Sequence, residues 1–333
     1  MLAFHRPARL LSGSAVRAFH VSRASRLPAI LHPDLQAYKS LREEKAWVES
    51  SQSKPPPTIS SLRICIVNLM PLKESTELQL CRMLARSPVA SDIAWVVPNT
   101  YSGKNSTPGH LEKFYKRFNE VKGEKYDGII LTGAPIEHLD FEQVAYWKEL
   151  QDFFEDVRKM DAGILSLCWG AMASLWHFHG VKKHITPRKV FGVFDHKISS
   201  KDRMLAIPDH VGIPVSRHTT WKRDDIISNP KLEILLDGPE EAGPGLVWDE
   251  DLGHAHMINH FEYDVDTLDG EYRRDLVKGT PTGEPIHIPN QYYPGDDPKN
   301  TPVLTWQTPG QVFYSNWLNT VMHRKWKREG KLS

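Results

Sequence analysis

The sequence predicts an open α/β protein, a mostly parallel sheet with helices on both faces. Three observations carry this. Continuous apolar runs such as RICIVNLM (63–70) suit strands buried on both sides. Helix-period segments alternate with these runs over short links, the pattern of parallel crossover units. A chain of 333 residues, 40% of them hydrophobic, can fill such a core without a disulfide or metal staple.

The elements follow in order. SSQSKPPPT (50–58) is a polar, proline-rich loop, and the strand RICIVNLM comes next. STELQLCRMLARS (75–87) places Leu78, Cys81, Leu84 and Ala85 at helical spacing. Strand DIAWVV (92–97), a loop over 98–109, a helix at about 110–120 and strand YDGIIL (126–131) continue the alternation. Helix-like FEQVAYWKELQDFFEDVRK (141–159) precedes strand GILSLC (163–168), and GAMASLWHFHG (170–180) reads as a helix stopped by Gly180. From about residue 187 the strands shorten: VFGVF, LEILLD, GLVW and AHMINHFEYD. GEYRRDLVKG (270–279) is helical, 280–302 is a loop, and QVFYSNWLNTVMHRKWKRE (311–329) is a last helix. The expected division is a single catalytic domain over 34–322, with 1–33 outside the fold and 323–333 a basic C-terminal tail.

Charge and composition narrow the function. Lys plus Arg number 42 and Asp plus Glu 41, so a nucleic-acid binder working through bulk charge is excluded. No apolar run approaches the ~18 residues of a membrane span, so no membrane partner is expected. Cys65, Cys81 and Cys168 form no CxxC pair, which argues against a cysteine zinc site. Phosphate-loop motifs GxGxxG and GxxxxGK[ST] are absent. Residues 1–33 hold Arg6, Arg9, Arg17, Arg23 and Arg26 with no acid before Asp34. That composition reads as a mitochondrial transit peptide directing the chain to the matrix, with RAFHVSRAS (17–25) like a processing site. A disordered tail on a cytoplasmic protein is the alternative.

Cys168 ends a buried-strand pattern and Trp169 begins a helix. Such a turn holds a nucleophile at the carboxyl edge of the sheet, where the helix start, with the backbone amide of Trp169, favours a thiolate and an oxyanion. His260 and Glu262, two apart at the end of a strand-like run, share a face, so a carboxylate could orient an imidazole toward the thiol. Two histidine sets, His254/His256/His260 and His177/His179/His184, lack a carboxylate or cysteine at ligand spacing, so no metal is expected.

Eight ordered segments carry a family resemblance: NLMP (68–71), LTGAP (131–135), CWG (168–170), PVSR (214–217), HFEYD (260–264), EYRRD (271–275), YYPGDDP (292–298) and SNWLN (315–319). The chain resembles the homoserine O-acyltransferases, also called homoserine transsuccinylases, over about residues 34–320. That resemblance implies a class I glutamine amidotransferase-like fold and a Cys168–His260–Glu262 triad. Lys189, Ser216 and Arg274 would bind substrate, no cofactor would be bound, and the assembly would be a homodimer. The implied reaction is acyl transfer from acyl-CoA to L-homoserine or L-serine through a Cys168 acyl-enzyme, in methionine biosynthesis. Homoserine O-succinyltransferase, serine O-acetyltransferase, a glutaminase-like hydrolase and a non-catalytic binding protein are the alternatives. The family stretch Thr-Gly-His-Pro-Glu-Tyr-Asp reads Ile258-Asn259-His260-Phe261-Glu262-Tyr263-Asp264 here, which leaves the acceptor pocket open to change.

The same resemblance assigns donor choice to Glu137, two residues after Gly133-Ala134-Pro135: glycine there accompanies succinyl and glutamate acetyl. A succinyl carboxylate ~4 Å from Glu137 would be repelled by roughly 4 kcal/mol at an effective dielectric of ~20. Acetyl-CoA is therefore the expected co-substrate.

Overall fold

Apolar strands alternating with helices become the centre of one large sheet in the computed structural model, which describes residues 29–53, 61–101, 106–199, 207–280 and 283–332. In chain order the strands and helices are β1 (Ala29–Leu31), α1 (Gln36–Glu43), β2 (Val48–Ser50), β3 (Leu62–Val67), α2 (Lys73–Leu84), β4 (Ser91–Val97), α3 (His110–Phe114), β5 (Tyr115–Arg117), α4 (Phe118–Val121), β6 (Gly128–Leu131), α5 (Trp147–Met160), β7 (Gly163–Leu167) and α6 (Trp169–His179). They continue with β8 (His184–Ile198), β9 (His210–Thr220), α7 (Arg223–Ile227), β10 (Leu232–Asp237), β11 (Pro244–Asp249), β12 (His254–Met257), α8 (Thr267–Lys278) and α9 (Gln307–Arg328).

The sheet runs β2-β1-β4-β3-β6-β7-β12-β11-β10-β8-β9, with β5 beside β4. Pairings from β2 through β7 to β12 are parallel, and those from β12 to β9 are antiparallel. The expected mostly parallel sheet is therefore present, with an antiparallel extension. The order in which strands are added reverses between β3 and β6, the switch point where open sheets take ligands.

Period-two alternation divides the core. Ile64 and Ile66 of β3 pack in one cluster with α2 and α9, while Cys65 and Val67 face a second cluster with α5 and α6. Cys65 and Cys81 are fully buried, and burial pushes both thiols up.

Three expectations are corrected. Residues 29–33 belong to the fold: Ala29–Leu31 form β1, pairing in parallel with β2 and with Ser91–Asp92 of β4. Apolar Ala29, Ile30 and Leu31 have a buried slot there, which the basic composition around them obscured. The remaining N-terminal segment lies outside the described residues. The helix expected at about 110–120 is broken, because Tyr115–Arg117 pair with Trp95–Val97 at the edge that β1 leaves open. The last helix ends at Arg328, as its pattern over 311–329 predicts, and the domain boundary expected at 322 is what changes, since the bases set apart as a tail meet acids of the fold: Lys325 and Arg328 on Asp127 at 2.8 and 2.9 Å, and Arg324 on Asp161.

Leu31 is almost fully buried in this first strand. Leu31→Ala should lower unfolding free energy by about 2–4 kcal/mol in urea titration; a loss below about 0.5 kcal/mol would contradict a core role for β1.

Candidate active site

Strand register brings the site together. Leu131 pairs with Ser166, and Met257 pairs with Leu167. Gly133, Cys168 and His260 therefore follow the carboxyl ends of three adjacent parallel strands. The Cys168 amide donates to the Met257 carbonyl at 2.8 Å. Its backbone sits at φ 49°, ψ −120°, a conformation that costs a non-glycine residue about 1–3 kcal/mol.

Two glycines permit this turn. A Cβ on Gly170 would lie 2.5 Å from the Thr132 carbonyl, so α6 can start hard against β6 only with glycine there. A Cβ on Gly133 would lie 3.1 Å from Cys168 Cβ, so the loop lies against the nucleophile. The amides of Ala171 and Met172 bond the Cys168 carbonyl. Trp169 opens the helix, where amides have no intrahelical acceptor and carry partial positive charge.

His260 is buried, and its Nδ1 lies 2.6 Å from Glu262 Oε1. Tyr314 donates its hydroxyl to the other carboxylate oxygen at 3.4 Å. Among the described residues Nε2 has no partner at hydrogen-bond distance, and the Cys168 thiol is the other group that acts on the ring beside Glu262. Burial opposes the charged imidazolium, but Glu262 and then Cys168 outweigh it and lift His260 to about 10. The ring of Tyr263 stacks on His260 at 4.0 Å. Burial, with Glu271, Cys168, Glu262 and Glu137 around it, holds the Tyr263 phenol well above its usual range.

Behind the thiol lies Arg217, fully buried, donating to the carbonyls of Thr219 (2.9 Å) and Ala242. Burial lowers it to about 10 against the pull of Cys168 and Glu137, so it remains a cation at neutral pH.

A second group sits across β8, β9 and α8. Lys189 Nζ lies 3.2 Å from both Glu271 and Asp275, over the ring of Phe191. Ser216 donates to Glu271 at 2.5 Å. Arg274 bonds Asp275 and is half-exposed. Glu137 does not point to solvent: one oxygen accepts the His218 amide and the other the Thr219 hydroxyl, each at 2.9 Å. Tyr263 links these groups, since Glu137, Glu271 and Cys168 all act on it.

The two histidine sets find other partners, with the rings of His254 and His256 in edge contact at 6.0 Å. His177, His179 and His184 pair with Glu155, Asp249 and Asp225, and His256 bonds Ser166. Asn259, which stands where the family has glycine, needs no special backbone, because it is not among the described residues with positive φ. Its side-chain amide donates to His196 Nε2 at 2.8 Å, while His196 Nδ1 donates to the Phe194 carbonyl. Burial lowers His196 to about 4 and keeps it neutral, so Nε2 is an acceptor. Gly238 and Gly245 clear the space, each with a would-be Cβ within 3 Å of this pair. An open cleft of about 820 Å³ lined by Asp195, Lys197, His210 and Asp237 contains none of the expected site residues.

Arg217, Tyr263, Glu271 and Gly133 lie inside PVSR, HFEYD, EYRRD and LTGAP, but their places in the site depend on partners distant in the chain. A charged residue inside the stretch that forms β9 was the available signal for Arg217.

This is the glutamine amidotransferase-like class of α/β protein. Glutamine amidotransferases solved from Methylobacillus flagellatus and Thermotoga maritima superpose with TM-scores of 0.51 and 0.50, at 11% and 14% identity. The superpositions cover 79% and 80% of this chain and 96% and 98% of theirs. Within that class, the chain belongs to the homoserine O-succinyltransferase family, acyltransferases, matched over residues 28–327. A homoserine O-acetyltransferase of Lachnoclostridium phytofermentans is 41% identical over 90% of this chain and 98% of its own. Homoserine O-acetyltransferase 1 of Ilyobacter polytropus is 40% identical over the same shares.

The strained turn gives a stability prediction. Cys168→Gly relieves the positive φ and should be about 1 kcal/mol more stable than Cys168→Ala by thermal or urea unfolding, with both inactive. Equal stabilities would mean the turn stores no strain.

Proposed function

We propose that the chain transfers an acetyl group from acetyl-CoA to the hydroxyl of L-homoserine by double displacement, a step toward methionine. Cys168 as thiolate attacks the thioester carbonyl; its proton is held by His260, oriented and charge-balanced by Glu262. The tetrahedral oxyanion faces the Trp169 amide and the Gly133 loop. As it collapses, coenzyme A leaves and takes the proton from His260. The homoserine hydroxyl then gives its proton to His260 and attacks the acyl-Cys168 carbonyl. The O-acyl amino acid departs and the thiolate returns. No step needs a metal or a bound cofactor.

On the acceptor side, Glu271 supplies a carboxylate for the substrate ammonium, held ready by Ser216 and Lys189. Arg274 supplies a planar fork for the substrate carboxylate. Serine differs from homoserine by one methylene, a difference of ~1–3 kcal/mol in a fitted pocket. The arginines before Ala29 support import into the mitochondrial matrix, and the family resemblance supports a homodimer.

The observation that carries acetyl over succinyl is the anchored Glu137 carboxylate, fixed to β9 on the side of the site that Cys168 and Arg217 share. The naming of the relatives as acetyltransferases supports the same choice. Initial rates with acetyl-CoA and succinyl-CoA test it. Wild type should favour acetyl-CoA, and Glu137→Gly should raise the succinyl-to-acetyl ratio by up to about a thousandfold. Thr219→Val, which frees one carboxylate oxygen, should move the ratio the same way by about tenfold. A wild-type preference for succinyl-CoA, or an unchanged ratio in Glu137→Gly, would refute the donor assignment.

A further inference from the structure

The loop after β6 and the end of β9 gather a donor set apart from the Cys168–His260 pair. Glu137, His138 and His218 each offer one ligand atom, and these atoms lie within 4.8 Å of one another. The rings of His138 and His218 are 4.9 Å apart. Glu284 stands beside them, its Oε1 3.3 Å from His218 Nδ1 and, among the described residues, without a closed hydrogen bond. We propose that this cluster binds a late first-row divalent ion, Zn(II) or a chemical neighbour, and that the bound ion inhibits the enzyme by occupying the acyl pocket.

Donor chemistry points to that class of ion. Two imidazoles with one or two carboxylates suit Zn(II), Co(II) or Ni(II), whereas Mg(II) and Ca(II) take sites made almost wholly of oxygen. Most of the set is already placed. Both oxygens of Glu137 are oriented by β9, and each keeps a lone pair for a metal. His218 is buried, and burial lowers its tendency to hold a second proton, so it offers a neutral nitrogen. His138 is exposed and can turn. Metal–ligand bonds of ~2.1 Å put tetrahedral donors about 3.4 Å apart, so modest rotation of His138 closes the present spread. Of the neighbouring cations, Lys189 is engaged by Glu271 and Asp275, Lys183 by the carbonyl of Glu137, and Arg217, which Glu137 also attracts, by the carbonyls of Thr219 and Ala242.

The inhibitory half of the proposal rests on the acetyltransferase reading, because it assigns Glu137 to the acyl pocket. The binding half does not. Co(II) alone is therefore the first probe. Wild-type protein should develop visible d–d absorption that Zn(II) abolishes by displacement, and His138→Ala should lose that absorption. His138 takes no part in the proposed reaction, so the variant should keep basal turnover while Zn(II) inhibits it at least ~10-fold more weakly. Unchanged Co(II) absorption in His138→Ala would overturn the site. So would a thiolate-to-cobalt charge-transfer band lost in Cys168→Ala, which would place the ion on the nucleophile. If neither acyl-CoA supports turnover, the acetyltransferase reading fails, and the Co(II) spectra still decide whether the site exists.

Discussion

The parallel register of β7 with β6 on one side and β12 on the other is the constraint on which the site depends. Backbone hydrogen bonding levels Leu131 with Ser166 and Leu167 with Met257. One step beyond, the chain must turn sharply into α6, and the turn lifts Cys168 between the Gly133 loop and the segment carrying His260. A slip of one residue in either pairing would send these side chains to the opposite face of the sheet. The strain at Cys168 is held by that same pairing, through its amide on Met257. The two clusters clamping the sheet make the register worth keeping, since slippage would expose both apolar faces.

Electrostatics is arranged around the same turn. The buried imidazole of His260 is charged at neutral pH because Glu262, with Cys168, outweighs desolvation. Loss of Glu262 would leave only Cys168 to oppose that desolvation and would pull His260 down. Arg217 adds a second cation behind the thiol, held by carbonyls instead of an acid, so its charge is not cancelled locally. Tyr263 stacks on the ring of His260, and Glu271 of the acceptor group acts on its phenol, so the two halves of the site meet at this side chain.

Much of this was legible in the sequence because its signals were local. GILSLC followed by WG announced a buried strand ending in a turn, and the two-residue step from His260 to Glu262 fixed their common face. What the sequence hid depended on partners distant in the chain. Ala29–Leu31 look like part of a basic leader until β4 offers an edge. Tyr115–Arg117 have no strand signature of their own and are extended only because Trp95–Val97 are beside them. The bases after residue 322 sit in a legible helix, but their anchoring to the domain is hidden because Asp127 and Asp161 lie far away in sequence. Asn259 looked like damage to a glycine motif; His196, Gly238 and Gly245 make room for it.

The central claim is that the sheet register makes Cys168 the acyl carrier with His260 as its proton partner. Mass spectrometry of the protein after acetyl-CoA alone, with no amino-acid acceptor, tests this most directly. One acetyl group should appear on the peptide carrying Cys168, and homoserine should discharge it; His260→Ala should slow both its arrival and its loss. An unmodified Cys168, together with turnover surviving in Cys168→Ala, would contradict the account.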